Sequence, residues 1–542
     1  MESALPLDVW WLVCEELTAR REFGALYNFS LASRTTANLA LPNLYSADDA
    51  SITGKRKLAV LWRAIILSSV GKTAFPYCLW IRNLKLGDFK ELLSDIAPYP
   101  DLRVRFFEGS MAPYELLQQP TALNVTTRRN RPRLDLQGIS NKVGEAVTTF
   151  VKEAAERDNR AVALTHLEGQ YVPMDVLPAW TSRLATLMSL HIQDGSVIGE
   201  QVAASIRDNC PRFRELTCFY CDGPSVDEDL AAFFRTLRPN TLQVFSVSSK
   251  NRLGKEAFAA LACHASSLKK LGLSNLQSGA FEHLGALRPC VSLESLVLEG
   301  DRYVAVDWHA EYPDAFADAG VWLGDCASLV DLKLWTVPSA AALLKDVLKS
   351  SNVRLTTLDL KLVDAHAGLY ASLGHQTALE GFYMRSNDGD ADHLSPQHAQ
   401  FVRSLCQCRQ LKVLDIMQTT LTSDDLGVLA ASLDHLEEFS FDGELLDDSV
   451  FDALLAMRKL KTINISANTV FTVDGILQYI NSLGALGRPE GGEFGLSIMN
   501  QSLQARISPE EEQFLAEHAQ ATFGGRLEIA HPEEEHESDF SD

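Results

Sequence analysis

The chain has 542 residues, 46% hydrophobic and 22% charged, which is too long for one ordinary core and predicts several domains or a repeat array. Its net charge of −22 opposes a general phosphate-binding surface, so nucleic acid is excluded as a partner class. The longest apolar runs, such as AVLWRAIIL (Ala59–Leu67), fall short of the roughly 20 residues that span a bilayer, so membrane insertion is excluded as well.

The opening MESALPLD has no basic segment ahead of an apolar one, so no secretory signal is expected and the ten cysteines read as reduced thiols. Over Leu7–Ala19 helical spacing puts Val9, Leu12, Val13 and Leu17 on one stripe, with Pro6 suited to the first turn and Asp8 complementing the helix dipole. Trp10 and Cys14 widen that stripe, and Trp11 lies beyond it. A second apolar pattern follows in Gly24–Tyr45, with Leu26, Phe29, Leu31, Leu39 and Leu44. About 45 residues cannot bury this much surface alone. It should meet the rest of the chain, for instance Leu58–Leu67, or another protein.

The next stretch, 47–160, reads as a connecting region. It holds IRNLKL (Ile81–Leu86) and PRLDLQG (Pro132–Gly138) ahead of a helical Asn141–Glu156, which read as irregular first units of a repeat, and a polar, basic loop near 118–133. The clusters GKRK (Gly54–Lys57) and RRNRPR (Arg128–Arg133) read as solvated loops.

From residue 161 to 530 one phrase recurs: apolar, two variable, apolar, one variable, apolar. It begins with LMSLHI (Leu187–Ile192), FRELTC (Phe213–Cys218), LQVFSV (Leu242–Val247), LKKLGL (Leu268–Leu273) and LESLVL (Leu293–Leu298). It goes on through LVDLKL (Leu329–Leu334), LTTLDL (Leu355–Leu360), LEGFYM (Leu379–Met384), LKVLDI (Leu411–Ile416), LEEFSF (Leu436–Phe441) and LKTINI (Leu460–Ile465). The starts lie 24 to 36 residues apart. The last two apolar residues of each phrase sit two apart and point to one face of a short strand. Helix-compatible stretches such as Ser423–Leu433 separate the phrases, and one strand with one helix must stack on neighbours to bury its apolar face. FGLSIM (Phe494–Met499) and LEIA (Leu527–Ala530) read as terminal strands, and 531–542 as an acidic tail.

The pattern resembles the cysteine-containing leucine-rich repeat. Cys210, Cys290, Cys326 and Cys408 each stand three residues ahead of a strand's first apolar residue. Cys218 and Cys221 become a strand and a turn residue, not half a zinc site, since structural zinc takes four ligands. The expected fold is an α/β leucine-rich-repeat solenoid, a horseshoe, behind a small all-α segment. The first segment in turn resembles an F-box. Leu5 and Pro6 match its opening dipeptide, and Asp8 stands where glutamate is usual. Val9, Val13 and Leu17 match the first helix, Leu26, Phe29 and Ala32 the second stretch, Ser33 and Arg34 its Ser-Arg, and Pro42, Leu44 and Tyr45 the exit. Thr36 departs from the usual tryptophan and Ala32 from the usual valine. The resemblance covers Leu5–Tyr45 (residues 1–46 as a domain) and implies docking on the Skp-type linker of an SCF ubiquitin ligase, through it cullin and RING subunits, with Trp10 and Trp11 partly covered by that linker. It implies a non-catalytic substrate receptor in cytoplasm or nucleus. The alternative is a repeat scaffold with an N-terminal cap that meets no ligase.

On the concave face of such a solenoid the variable strand positions would carry the substrate. Consecutive strands offer Asp331, Lys333 and Trp335, then Thr357, Asp359 and Lys361, then Gly381, Tyr383 and Arg385. Trp, Tyr and Arg most often dominate interface energies. The insertion Asp301–Trp322 offers Tyr303, Trp308, Tyr312, Phe316 and Trp322, either as a binding loop or as a small local core. No catalytic, metal or cofactor site is expected. GKT (Gly71–Thr73) lacks the first P-loop glycine, Ile66 standing there. DGDAD (Asp388–Asp392) is followed by His393 where calcium loops need glycine. The histidines form no pairing with a nucleophile.

Overall fold

The structure, a computed structural model, describes residues 10, 13, 14, 16, 17, 25, 29, 52–118, 133–158, 162–304, 306–364, 366–386, 396–486, 494–502 and 506–531. The chain divides into two compact units, Met1–Phe245 and Ser246–Asp542. Both are α/β repeat stacks in which each strand pairs in parallel with the next.

In the first unit β1 (Asn83–Lys85), β2 (His166–Gly169), β3 (Ser189–Asp194) and β4 (Glu215–Tyr220) precede β5 (Val244–Val247), at whose centre the division falls. Leu84, Leu167, Leu190 and Leu216 share one register line, and all four are buried. The sequence phrases therefore become strands because alternate residues must leave water on one side. PRLDLQG differs from that pattern. Leu134 forms an isolated antiparallel bridge to Leu117, and Leu136 already opens the long helix Leu136–Asp158. Inside this helix a Cβ on Gly144 would stand 2.3 Å from the buried Trp180 ring, so only glycine lets helix and indole approach. The Trp180 indole N–H donates to Glu145 Oε2 at 2.9 Å.

The second unit holds β6 (Lys270–Leu276), β7 (Ser295–Gly300), β8 (Asp331–Trp335), β9 (Thr357–Val363) and β10 (Gly381–Ser386). Then come β11 (Val413–Leu421), β12 (Glu438–Leu446), β13 (Thr462–Thr469), β14 (Gly495–Asn500) and β15 (Arg526–Ala530). One line of partners runs Leu271, Leu296, Leu332, Leu358, Phe382, Leu414, Phe439, Ile463, Leu496, Leu527 across all ten. Each buried leucine on such a line contributes about 1.5–3 kcal/mol over the exposed state, and only the neighbouring repeat supplies the cover.

The segments before the strands lock successive repeats together. The Cys210 thiol donates to the Thr181 and Leu184 carbonyls at 3.2 and 3.3 Å, and the Cys408 thiol to Leu373 and Ser404, both at 3.6 Å. Burial pushes the thiols of Cys210, Cys290, Cys326 and Cys408 up to about 12, as expected of inert packing groups. None of the ten cysteines is in a disulfide. In the repeat that builds β10 the same position is Gln376, which is 2% exposed. Its amide nitrogen donates to the carbonyls of Leu348 (2.7 Å) and Val353 (3.2 Å), and its oxygen accepts the Leu355 amide at 2.9 Å.

Helix ends are capped where the polar residues stand. Thr422 and Asp425 form a reciprocal capping box on Ser423–Ala430, and Ser508 with Glu511 does the same for Pro509–Phe523. The insertion folds as a local core. Trp308 packs on Phe281 and Phe316 with ring centres 5.1 and 5.7 Å apart, and the buried Trp322 donates its indole N–H to the Cys290 carbonyl at 3.1 Å. Among the described residues no helix is long and apolar enough to cross a membrane.

Candidate binding face

The outward positions of β8–β12 form a bed of side chains in register. One row runs Lys333, Asp359, Tyr383, Asp415, Ser440. A second runs Asp331, Thr357, Gly381, Val413, Glu438, and a third Glu299, Trp335, Lys361, Arg385. The six candidates Lys333, Trp335, Asp359, Lys361, Tyr383 and Arg385 are thus brought side by side, because parallel pairing without a register shift here stacks equal positions of successive repeats.

Electrostatics within the bed are uneven. Lys361 Nζ sits 4.1 Å from the centre of the Trp335 ring, a cation–π contact, and 3.4 Å from Asp359 Oδ2. Lys333 lies 3.9 Å from Asp331 Oδ1, and Arg385 lies 3.4 Å from Asp415 Oδ2. Asp359 is only 7% exposed, and its Oδ1 has no hydrogen-bond partner. The Trp335 indole N–H comes near this carboxylate but closes no well-formed bond. Burial pushes the Asp359 carboxyl above its usual range, and Lys361 only partly offsets this. Asp442 behaves alike: burial raises it although the Gln418 amide donates to its Oδ2 at 2.8 Å and the Ser466 hydroxyl lies beside it, and its Oδ1 closes no well-formed bond. Desolvation also raises Tyr383, with Glu438, Asp359 and Asp415 adding to it.

The ends of these strands carry exposed apolar residues in a strained backbone. Leu362 after Lys361 and Leu445 on β12 both have φ of 53°, and Leu445 is 74% exposed. Thr336, next to Trp335, has φ of 56°, unusual for a β-branched residue. Neither the strain nor the buried carboxylates announce themselves in the sequence, where Asp359 and Asp442 look like ordinary surface acids.

In the insertion Tyr303 is 94% exposed and Tyr312 is half-buried, whereas Trp308 is sealed in the local core and offers no surface to a ligand. In the N-terminal segment Trp10 is half-buried, its ring 5.0 Å from that of Phe29. Val13 stands 39% exposed, Cys14 is buried and Leu17 is half-buried. Leu5, Pro6, Asp8, Val9, Leu26, Ser33 and Arg34 lie outside the described residues, as do Trp11, Ala32, Thr36 and the DGDAD segment. Among the described residues no group of three or more His, Cys, Asp or Glu is placed to hold a metal ion.

No protein-family model and no curated protein matches this chain. Solved structures similar in fold include an internalin (inlF) from Listeria monocytogenes, at 13% identity and TM-score 0.35, covering 65% of this chain and 82% of that one. The Rad7 and Elc1 complex from yeast is similar at 13% identity and TM-score 0.36, covering 68% and 86%. The leucine-rich-repeat protein LegL7 from Legionella pneumophila is similar at 15% identity and TM-score 0.28, covering 61% and 94%.

Proposed function

We propose that this protein is the substrate-recognition subunit of an SCF-type ubiquitin ligase, a non-catalytic adaptor of the cytoplasm or nucleus. The observation that carries the reading is the F-box-like run from Leu5 to Tyr45 placed ahead of a leucine-rich array. Docking on the Skp-type linker falls to Leu5, Pro6, Asp8, Val9, Trp10, Val13, Leu17, Leu26, Phe29, Ser33 and Arg34. The exposed Val13 and half-covered Trp10 support it, since apolar residues left in water on a short helix favour a partner. Protein substrate is held on the outward face of β8–β10. The complex then raises the local concentration of substrate lysines near the ubiquitin donor, and catalysis resides in the partners.

The test is co-purification of the full chain with the Skp-type linker. Changing Leu5, Pro6 and Val9 together to alanine should abolish capture without altering the melting profile. A chain that never retains the linker, or retains it after that triple change, is instead a repeat scaffold outside any ligase. Trp335→Ala with Tyr383→Ala should remove substrate ubiquitination while linker capture persists. Unchanged ubiquitination rejects this face.

A further inference from the structure

We propose that the outward face of β9–β12 receives an arginine-bearing segment of a partner protein, with the guanidinium over Tyr383 between Asp359, Asp415 and Glu438. This rests on reading the strand face as the substrate face and names the chemistry that the face selects.

Charge comes first. Besides Glu299, which Arg302 engages, five carboxylates (Asp331, Asp359, Asp415, Glu438, Asp442) share the bed with three cations (Lys333, Lys361, Arg385). The three cations are already engaged: Lys361 with Trp335 and Asp359 Oδ2, Lys333 beside Asp331, Arg385 with Asp415. Asp359 is more than nine-tenths buried and keeps one oxygen without a hydrogen bond, in the row that continues through Tyr383 and Asp415. Burial of this carboxylate is costly, and a second cation laid over the face offsets part of that cost through its charge, without reaching the enclosed oxygen. Asp442 Oδ1 repeats the situation three strands along, and Glu438 stands exposed on the same strand as Asp442.

Geometry then selects the kind of cation. The carboxylates do not converge as metal ligands. Asp359 on β9 and Asp415 on β11 flank Tyr383 on β10, about 4.8 Å to either side, a span that a planar fork of five donors bridges better than a point charge. The half-buried Tyr383 ring offers the aromatic face on which guanidinium stacks. Exposed Leu362 and Leu445 at the strand ends provide apolar contacts for residues flanking that arginine, so the occupant is a polypeptide segment and not a free amine.

The probe is a random heptapeptide library displayed on phage and selected on the immobilised full chain at 150 mM salt. The expected result is strong enrichment of arginine over lysine with apolar neighbours. A selected peptide should lose at least tenfold in affinity on Asp359→Asn with Asp415→Asn, and about fivefold on Tyr383→Leu, which keeps apolar bulk if the acid pair disturbs folding. Replacing the arginine by citrulline should lose as much. Asp346→Asn with Glu282→Gln, exposed acids outside the bed, should change nothing and so separates this site from attraction to the chain's net charge. No enrichment, an acidic or purely apolar consensus, or equal loss in the control variant overturns the proposal. Linker capture by the same preparation is read separately. Retained capture without arginine selection refutes this inference alone, and arginine selection without capture refutes the ligase reading alone.

Discussion

Gln376→Met removes the three side-chain hydrogen bonds that join the repeat of β10 to the loop ahead of β9, while nearly conserving volume. The carbonyls of Leu348 and Val353 lose their donor and the Leu355 amide loses its acceptor, all in a site closed to water. At about 1–1.5 kcal/mol net per bond, and more for a group left buried without a partner, the loss comes to about 3–4 kcal/mol. Because each 1.4 kcal/mol is roughly tenfold in an equilibrium constant, local opening should become about 100-fold more frequent or greater. Amide hydrogen exchange read on peptides spanning 348–363 measures this directly, with peptides from 52–118 in the first unit as the internal reference. Cys408→Ala, at the equivalent place with a weak thiol donor, should cost only about 1–2 kcal/mol. If Gln376→Met speeds exchange around Leu355 by less than tenfold, or no more than Cys408→Ala does, the glutamine is a packing residue and the argument for a polar tie between repeats is wrong.

Other outcomes follow from the same structure. Burial raises the Asp425 carboxyl, but His398, at 3.0 Å, and the Thr422 amide and hydroxyl outweigh it and hold the group below its usual value. Its stabilisation is therefore present above the ordinary aspartate value and lost as pH falls through the lowered one. Asp425→Ala should cost about 1–3 kcal/mol at pH 7, with a difference in melting temperature that shrinks below about pH 4, and a pH-independent difference would contradict the capping assignment. Asp359 has the opposite sign: its raised value means stability is lost as pH rises from the ordinary to the raised value. Asp359→Asn should thus melt higher than the parent at pH 7 and equal to it at pH 3, and a lower melting point at pH 7 would mean that the Lys361 pair outweighs burial. Trp322→Phe leaves the Cys290 carbonyl with only the weak Cys326 thiol donor at 3.8 Å and should destabilise the second unit by about 1–2 kcal/mol in urea unfolding, against no change if the indole bond is incidental.

The amino-acid order alone determined the repeat. Two apolar residues spaced two apart, recurring every 24 to 36 residues, can bury only as parallel strands stacked on their neighbours, and the structure carries them on one register line. The cysteine ahead of the strand was legible for the same reason, since it recurs at a constant offset. Gln376 was not, because its polar identity disguises a position whose role is to bond across repeats. Tertiary structure alone decided that Asp359 is closed off from water between Lys361 and Trp335, that Trp308 turns into a local core, and that Leu362 and Leu445 are held out at positive φ. A residue's burial and pairing depend on what the adjacent repeats place beside it. That information is distributed over segments about 25 residues apart and has no local signature in the chain.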